Sequence, residues 1–167
     1  MTEQGDTCLY LHYGQDSVVN NGWKFDFVYK DNRIAESIYY VYKISSGKPD
    51  WRQAELLKYY YSSEGLLDSI IRQSTLEPAI TKSIYHYDKA HRLIRQENYV
   101  DNTLLKQFIW SYNKKGLLKS ITQMTTDKKG SNKIIYHHEY NKKGLLTTTH
   151  SGKGKKNIRD SYIYSYY

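Results

Sequence analysis

The chain has a single cysteine, Cys8, so no internal disulfide framework holds it together. A lone thiol fits a reducing compartment. Proline occurs only at Pro49 and Pro78, which leaves long stretches free to donate backbone hydrogen bonds. No apolar run approaches ~18 residues, so no membrane span is expected. The start, Met1-Thr2-Glu3-Gln4-Gly5-Asp6, has no basic segment followed by an apolar one. No signal peptide is read there, and a cytoplasmic location is expected. Removal of a leader would leave the alternative of a secreted or surface-exposed protein.

Recognisable catalytic signatures are also missing. Gly152-Lys153-Gly154-Lys155-Lys156 lacks the spacing and the strand-loop-helix setting of a phosphate-binding loop, so it reads as a basic turn. No Cys/His group has zinc spacing. Of six histidines, only His137 and His138 are adjacent, and on a strand they point to opposite faces. His138 reads as a packed ring. Cys8 has no basic partner nearby in sequence to make it reactive. The expectation is a protein without catalytic residues, cofactor or metal.

What the chain does have is tyrosine, nineteen of them, in a phrase that repeats. Tyr112-Asn113-Lys114-Lys115-Gly116-Leu117-Leu118 returns as Tyr140-Asn141-Lys142-Lys143-Gly144-Leu145-Leu146. Looser copies begin at Tyr29, Tyr61 and Tyr87, and a truncated copy ends at Tyr166. Spacings of 25 to 32 residues between these anchors mean one supersecondary unit stacked on itself.

The segment before each anchor alternates with period two, the mark of a strand. Phe25/Phe27/Tyr29, Leu57/Tyr59/Tyr61, Ser83/Tyr85/Tyr87, Phe108/Trp110/Tyr112, Tyr136/His138/Tyr140 and Tyr162/Tyr164/Tyr166 share one register. That column reads first as core and second as a binding surface. After each anchor, Asn or Asp at the start of a loop and Gly near its end favour a hairpin turn. Second turns are expected at Val100–Thr103, Asp127–Gly130 and Ser151–Gly154, and an N-terminal one at Asn20-Asn21-Gly22. Trp51–Lys58 is the one stretch with a helical alternative, and its place in the repeat favours strand. The fold class is all-β: an antiparallel β-hairpin repeat array forming a long, twisted or curled sheet. Residues 1–24 are expected to make an N-terminal hairpin or cap, and residues 25–167 the repeats, in one continuous domain.

The charge is uneven. Residues 84–167 hold sixteen Lys/Arg against six Asp/Glu, whereas residues 1–83 hold nine against eleven. The basic half suits an acidic partner or nucleic acid. Consecutive anchor-side turns should line one edge, bringing Lys114, Lys115, Lys142 and Lys143 into one basic rim. With Trp110, Tyr112, His138 and Tyr140 these form the expected partner-binding set.

Tyr85-His86-Tyr87-Asp88-Lys89-Ala90-His91-Arg92-Leu93 resembles the YD repeat of the bacterial rearrangement-hotspot (Rhs) family, which runs Tyr-x-Tyr-Asp, two variable positions, Gly-Arg-Leu. Here His91 stands at the Gly position, and the copies at Tyr112 and Tyr140 have Asn for Asp and Leu for Arg. The resemblance covers roughly residues 25–167 and implies a hairpin array. Small size, no export signal and no catalytic set, with a large repetitive sheet surface, lead to the expectation of a non-enzymatic immunity-type protein that covers the active site of a cognate toxin; the basic half suits an acidic toxin domain, and the place of the resembled family in toxin systems adds context. Binding of a glycan or host protein by a secreted module, and nucleic-acid binding by the basic half, are the alternative expectations.

Overall fold

The computed structural model describes residues 6–13, 19–45, 48–127, 130–151 and 159–161. All regular structure among them is β-strand: β1 (Thr7–Tyr13), β2 (Val19–Lys30), β3 (Arg33–Ser45), β4 (Lys48–Tyr61), β5 (Leu67–Ser74), β6 (Ile80–Tyr87), β7 (Leu93–Val100), β8 (Thr103–Tyr112), β9 (Leu118–Asp127), β10 (Gly130–Tyr140), β11 (Leu146–Ser151) and β12 (Arg159–Ser161). Strand order is chain order, the topology of an antiparallel hairpin array. Trp51–Lys58 lies inside β4 as a strand. No helix among the described residues is long and apolar enough to cross a membrane.

The chain divides into two compact units, Met1–Ser83 with Val100–Asn102, and Ile84–Tyr99 with Thr103–Tyr167. In the first, β1 to β5 pair in sequence. Phe25 packs against Tyr39 with ring centroids 4.8 Å apart, and against Trp23 and Phe27 along its own strand. The opposite face is polar and aromatic. There Lys24 Nζ sits 4.3 Å from the Tyr40 ring centroid and 2.9 Å from Asp26 Oδ2. Back on the Phe25 face, where Glu55 lies opposite Tyr39, Glu55 and Arg72 form a two-pronged ion pair across β4 and β5, and the Arg72 hydrogen bond holds the Glu55 carboxyl below its ordinary range.

The second unit repeats the pattern through β8, β9, β10 and β11. Trp110 lies opposite Ile121, and Ile121 opposite Tyr136, so this row crosses three strands on one face. Such cross-strand pairs stabilise a sheet by roughly 0.2–1 kcal/mol each.

Among the described residues the aromatic column is half-buried rather than a closed core. Among the described residues the one fully buried apolar side chain is Ala54, at a β-bulge opposite Tyr39 and Tyr40. Aromatic rings tolerate this position because they pack laterally on each other while tyrosine hydroxyls reach polar partners.

One sequence reading changes. Asn20-Asn21-Gly22 is not a turn: these residues are part of β2, and Asn21 and Gly22 pair with His12 and Leu11 of β1. Strand pairing thus overrides the local turn preference of Asn-Gly. The expected strand at Tyr162–Tyr166 and the turns at 128–129 and 152–154 lie outside the described residues.

Candidate basic rim on the repeat turns

Among the described residues, four turns, three with Gly and one with His at the same place, share one hydrogen-bond pattern. The anchor-side residue at position 62, 88, 113 or 141 donates its N–H to the carbonyl four residues on, at 2.8 to 3.0 Å. It also accepts, on its own carbonyl, the N–H of the residue three on: Gly65, His91, Gly116 or Gly144. The side chain completes the loop. Asn113 Oδ1 accepts the N–H of Lys115 (2.9 Å) and Leu117 (3.0 Å), and Asn141 Oδ1 does the same for Lys143 and Leu145. Asp88 Oδ1 performs this task for Ala90 and Arg92. Asp and Asn are interchangeable here because only one oxygen acceptor is needed.

Gly116 and Gly144 have φ near +80°, a region that L side chains avoid. His91 occupies the same region at φ 58°. Each of the anchor tyrosines 29, 61, 112 and 140 follows a β-bulge, which adds local twist just before the turn.

Neighbouring turns are fastened to one another. In the second unit, Arg92 is held by Asp88 (Nη2–Oδ2 2.7 Å) and lays its guanidinium 4.7 Å from the Tyr112 ring centroid. That hydrogen bond, with help from backbone N–H groups, keeps the Asp88 carboxyl below its usual range. The Tyr112 hydroxyl donates to the Leu93 carbonyl at 2.7 Å. The first unit repeats the device: Tyr61 donates to Ile34 (2.9 Å), and Arg33 lies over its ring at 5.5 Å. In the next copy Leu117 replaces the arginine and sits beside Gly144. The residue after one turn therefore packs on the following one.

This places the expected residues as follows. Lys114, Lys115, Lys142 and Lys143 are all exposed, on turns that leave the same end of successive hairpins. Tyr112 is half-buried, its hydroxyl and ring already engaged by the preceding repeat. Trp110 is half-buried on the aromatic face beside Phe108, centroids 5.8 Å apart. His138 lies on that face two residues from Tyr136. Its Nδ1 is 3.2 Å from Thr149 Oγ1, and its Nε2 is buried with no partner. Burial, then the neighbouring His137 and His150, hold this imidazole below its ordinary pKa. Tyr140 is half-buried and pairs with Leu146 across its bulge.

The sequence reading left out two exposed lysines that the structure adds. Lys89 occupies the equivalent of Lys114 in the preceding turn. Lys119 is the extra residue of the β8–β9 bulge, skipped in the pairing of Tyr112 with Leu118 and Ser111 with Ser120. The first was legible as the second residue after an anchor tyrosine. The second required the register.

Chemically the rim is a set of ammonium groups on hydrogen-bonded loops. Preorganised loops lose less entropy on binding than flexible ones. Among the described residues no group of three His, Cys, Asp or Glu side chains is gathered around one point. No protein-family model matches the chain, and no curated protein matches it.

Proposed function

We propose that this chain is a non-enzymatic protein-binding module whose lysine rim docks an acidic surface of a partner protein. The observation that carries the reading is the placement of exposed Lys114, Lys115, Lys142 and Lys143 on turns of one pattern, with Lys89 on a third. Cations on one rim add their fields, which accelerates encounter with an acidic surface and adds specificity more than raw affinity. The finer proposal follows the YD-repeat resemblance: the partner is an acidic toxin domain, and the rim neutralises it by covering its active site.

The test uses the chain as bait in native extract, beside a variant with Lys114, Lys115, Lys142 and Lys143 all changed to Gln. The wild type should retain one stoichiometric acidic protein, and the variant should lose most of it. With that protein in hand, stopped-flow association should be slower for the variant and less sensitive to salt. Equal recovery and equal association rates for the two baits would refute the rim. Recovery of nucleic acid that a moderate salt step removes would replace the proposal with nucleic-acid binding, whose affinity falls steeply with salt.

A further inference from the structure

The Phe25 face of the first unit carries more aromatic surface than the chain itself covers. Trp23, Phe25 and Phe27 alternate along β2, and Tyr39 lies opposite Phe25. Leu57 and Tyr59 continue the face on β4, since Phe27 pairs with Ser37 and Ser37 with Leu57. All six large side chains are half-buried, while small Ser37 among them is buried. A sheet with one apolar face is stable once that face packs on a second layer.

We propose that this face is a self-association surface, on which a second copy of the chain stacks face to face about a twofold axis. Stacked sheets lie about 10 Å apart, with the side chains of the two inner faces interdigitated. The area suffices. Strands β1 to β5 hold 7, 12, 13, 14 and 8 residues. At about 3.3 Å per residue and about 4.8 Å between strands, their face measures roughly 850 Å². A standard stable interface takes about 800 Å² from each partner.

Charge selects the occupant. On this face Glu55 is ion-paired with Arg72, and Arg52, which lies opposite Val41, with Asp50 at 2.8 Å. These charges cancel in pairs within one chain. A twofold axis brings the same patch onto itself. A face neutral in this way meets its copy without like-charge repulsion, whereas a strongly acidic or basic partner gains no steering from it. The lysine rim has the opposite property and suits a partner of unlike charge.

Sedimentation equilibrium of the intact chain over a range of concentrations is the test. The wild type should approach twice the mass of one chain. Arg52→Glu changes an exposed side chain and leaves two carboxylates side by side on the face. It should weaken the dimer by about tenfold or more, because each copy brings the same repulsion. Lys58→Gln, on the other face of β4, should dimerise like wild type. So should the variant with the four rim lysines changed to Gln, which separates this surface from the rim. Should Arg52→Glu lose its β-sheet circular dichroism, the wild type decides by NMR. Cys8, exposed and opposite Phe25, takes a spin label in one chain. The label should broaden the Trp23 indole N–H of an isotope-labelled second chain before that of Trp51, which lies opposite Tyr42 on the other face. A wild type that stays monomeric at every concentration, a dimer equally tight in Arg52→Glu, or Trp51 broadened first would each overturn the proposal. A monomer whose Trp23 signal shifts only when a different protein is added would give the face to that partner instead.

Discussion

Asn113→Ala tests the claim that a side-chain oxygen, rather than the lysines beside it, shapes the turn. Asn113 Oδ1 accepts two backbone N–H groups, from Lys115 and Leu117. A net hydrogen bond is worth roughly 0.5–1.5 kcal/mol. Lys115 is exposed, so water can replace its lost acceptor, whereas Leu117 is half-buried and rehydrates less well. The expected loss is therefore about 1–2 kcal/mol. For a chain of this size that lowers the melting temperature by about 2–8 °C. In a repeat array each unit contacts mainly its neighbours, so amide exchange should show where the loss falls. The amides of Lys115 and Leu117 should exchange faster, while those of the Asn141 turn hold. Asn113→Asp is the control, since Asp88 makes the same two bonds in its own turn. It should stay within about 0.5 kcal/mol of wild type. An alanine variant as stable as wild type, or an aspartate variant as unstable as the alanine one, would refute the reasoning.

Two further outcomes follow from the same geometry. Gly144→Ala should cost about 1–2 kcal/mol in denaturant unfolding from backbone strain alone. The added methyl would meet Leu117 Cδ1 at 3.7 Å, an ordinary contact, so an unchanged midpoint would mean that the left-handed turn is not formed. His138→Tyr should flatten the acid limb of stability. Because burial holds the folded imidazole below its ordinary 6.5, the unfolded chain takes up the proton first as pH falls. Stability is then complete above about pH 6.5 and declines below it, and tyrosine at this position has no such proton to gain. Urea midpoints at pH 7.5 and 5.5 check this, and an equal pH dependence in both proteins would exclude His138 as the source.

The hairpin array was legible in the chain because its signals are local. Period-two aromatics define strands, and Asn or Asp followed three residues later by Gly defines the turn, which the hydrogen bonds of Asn113 and Asn141 bear out. The exposed turn lysines were legible for the same reason. Asn20-Asn21-Gly22 shows the limit: a strong local turn phrase yielded to pairing between β1 and β2. The aromatic column was expected first as core, and it is half-buried.

The sequence alone determined the repeat, its strands and the turns that carry the lysines, since each depends on residues within a few positions of one another. Only the tertiary structure decided which residues meet across strands. The turn arginine on the next anchor tyrosine, the bulge that skips Lys119, and His137 facing His150 instead of its chain neighbour all depend on register. Register is set by pairing between strands, where one residue of slip turns every side chain to the other face.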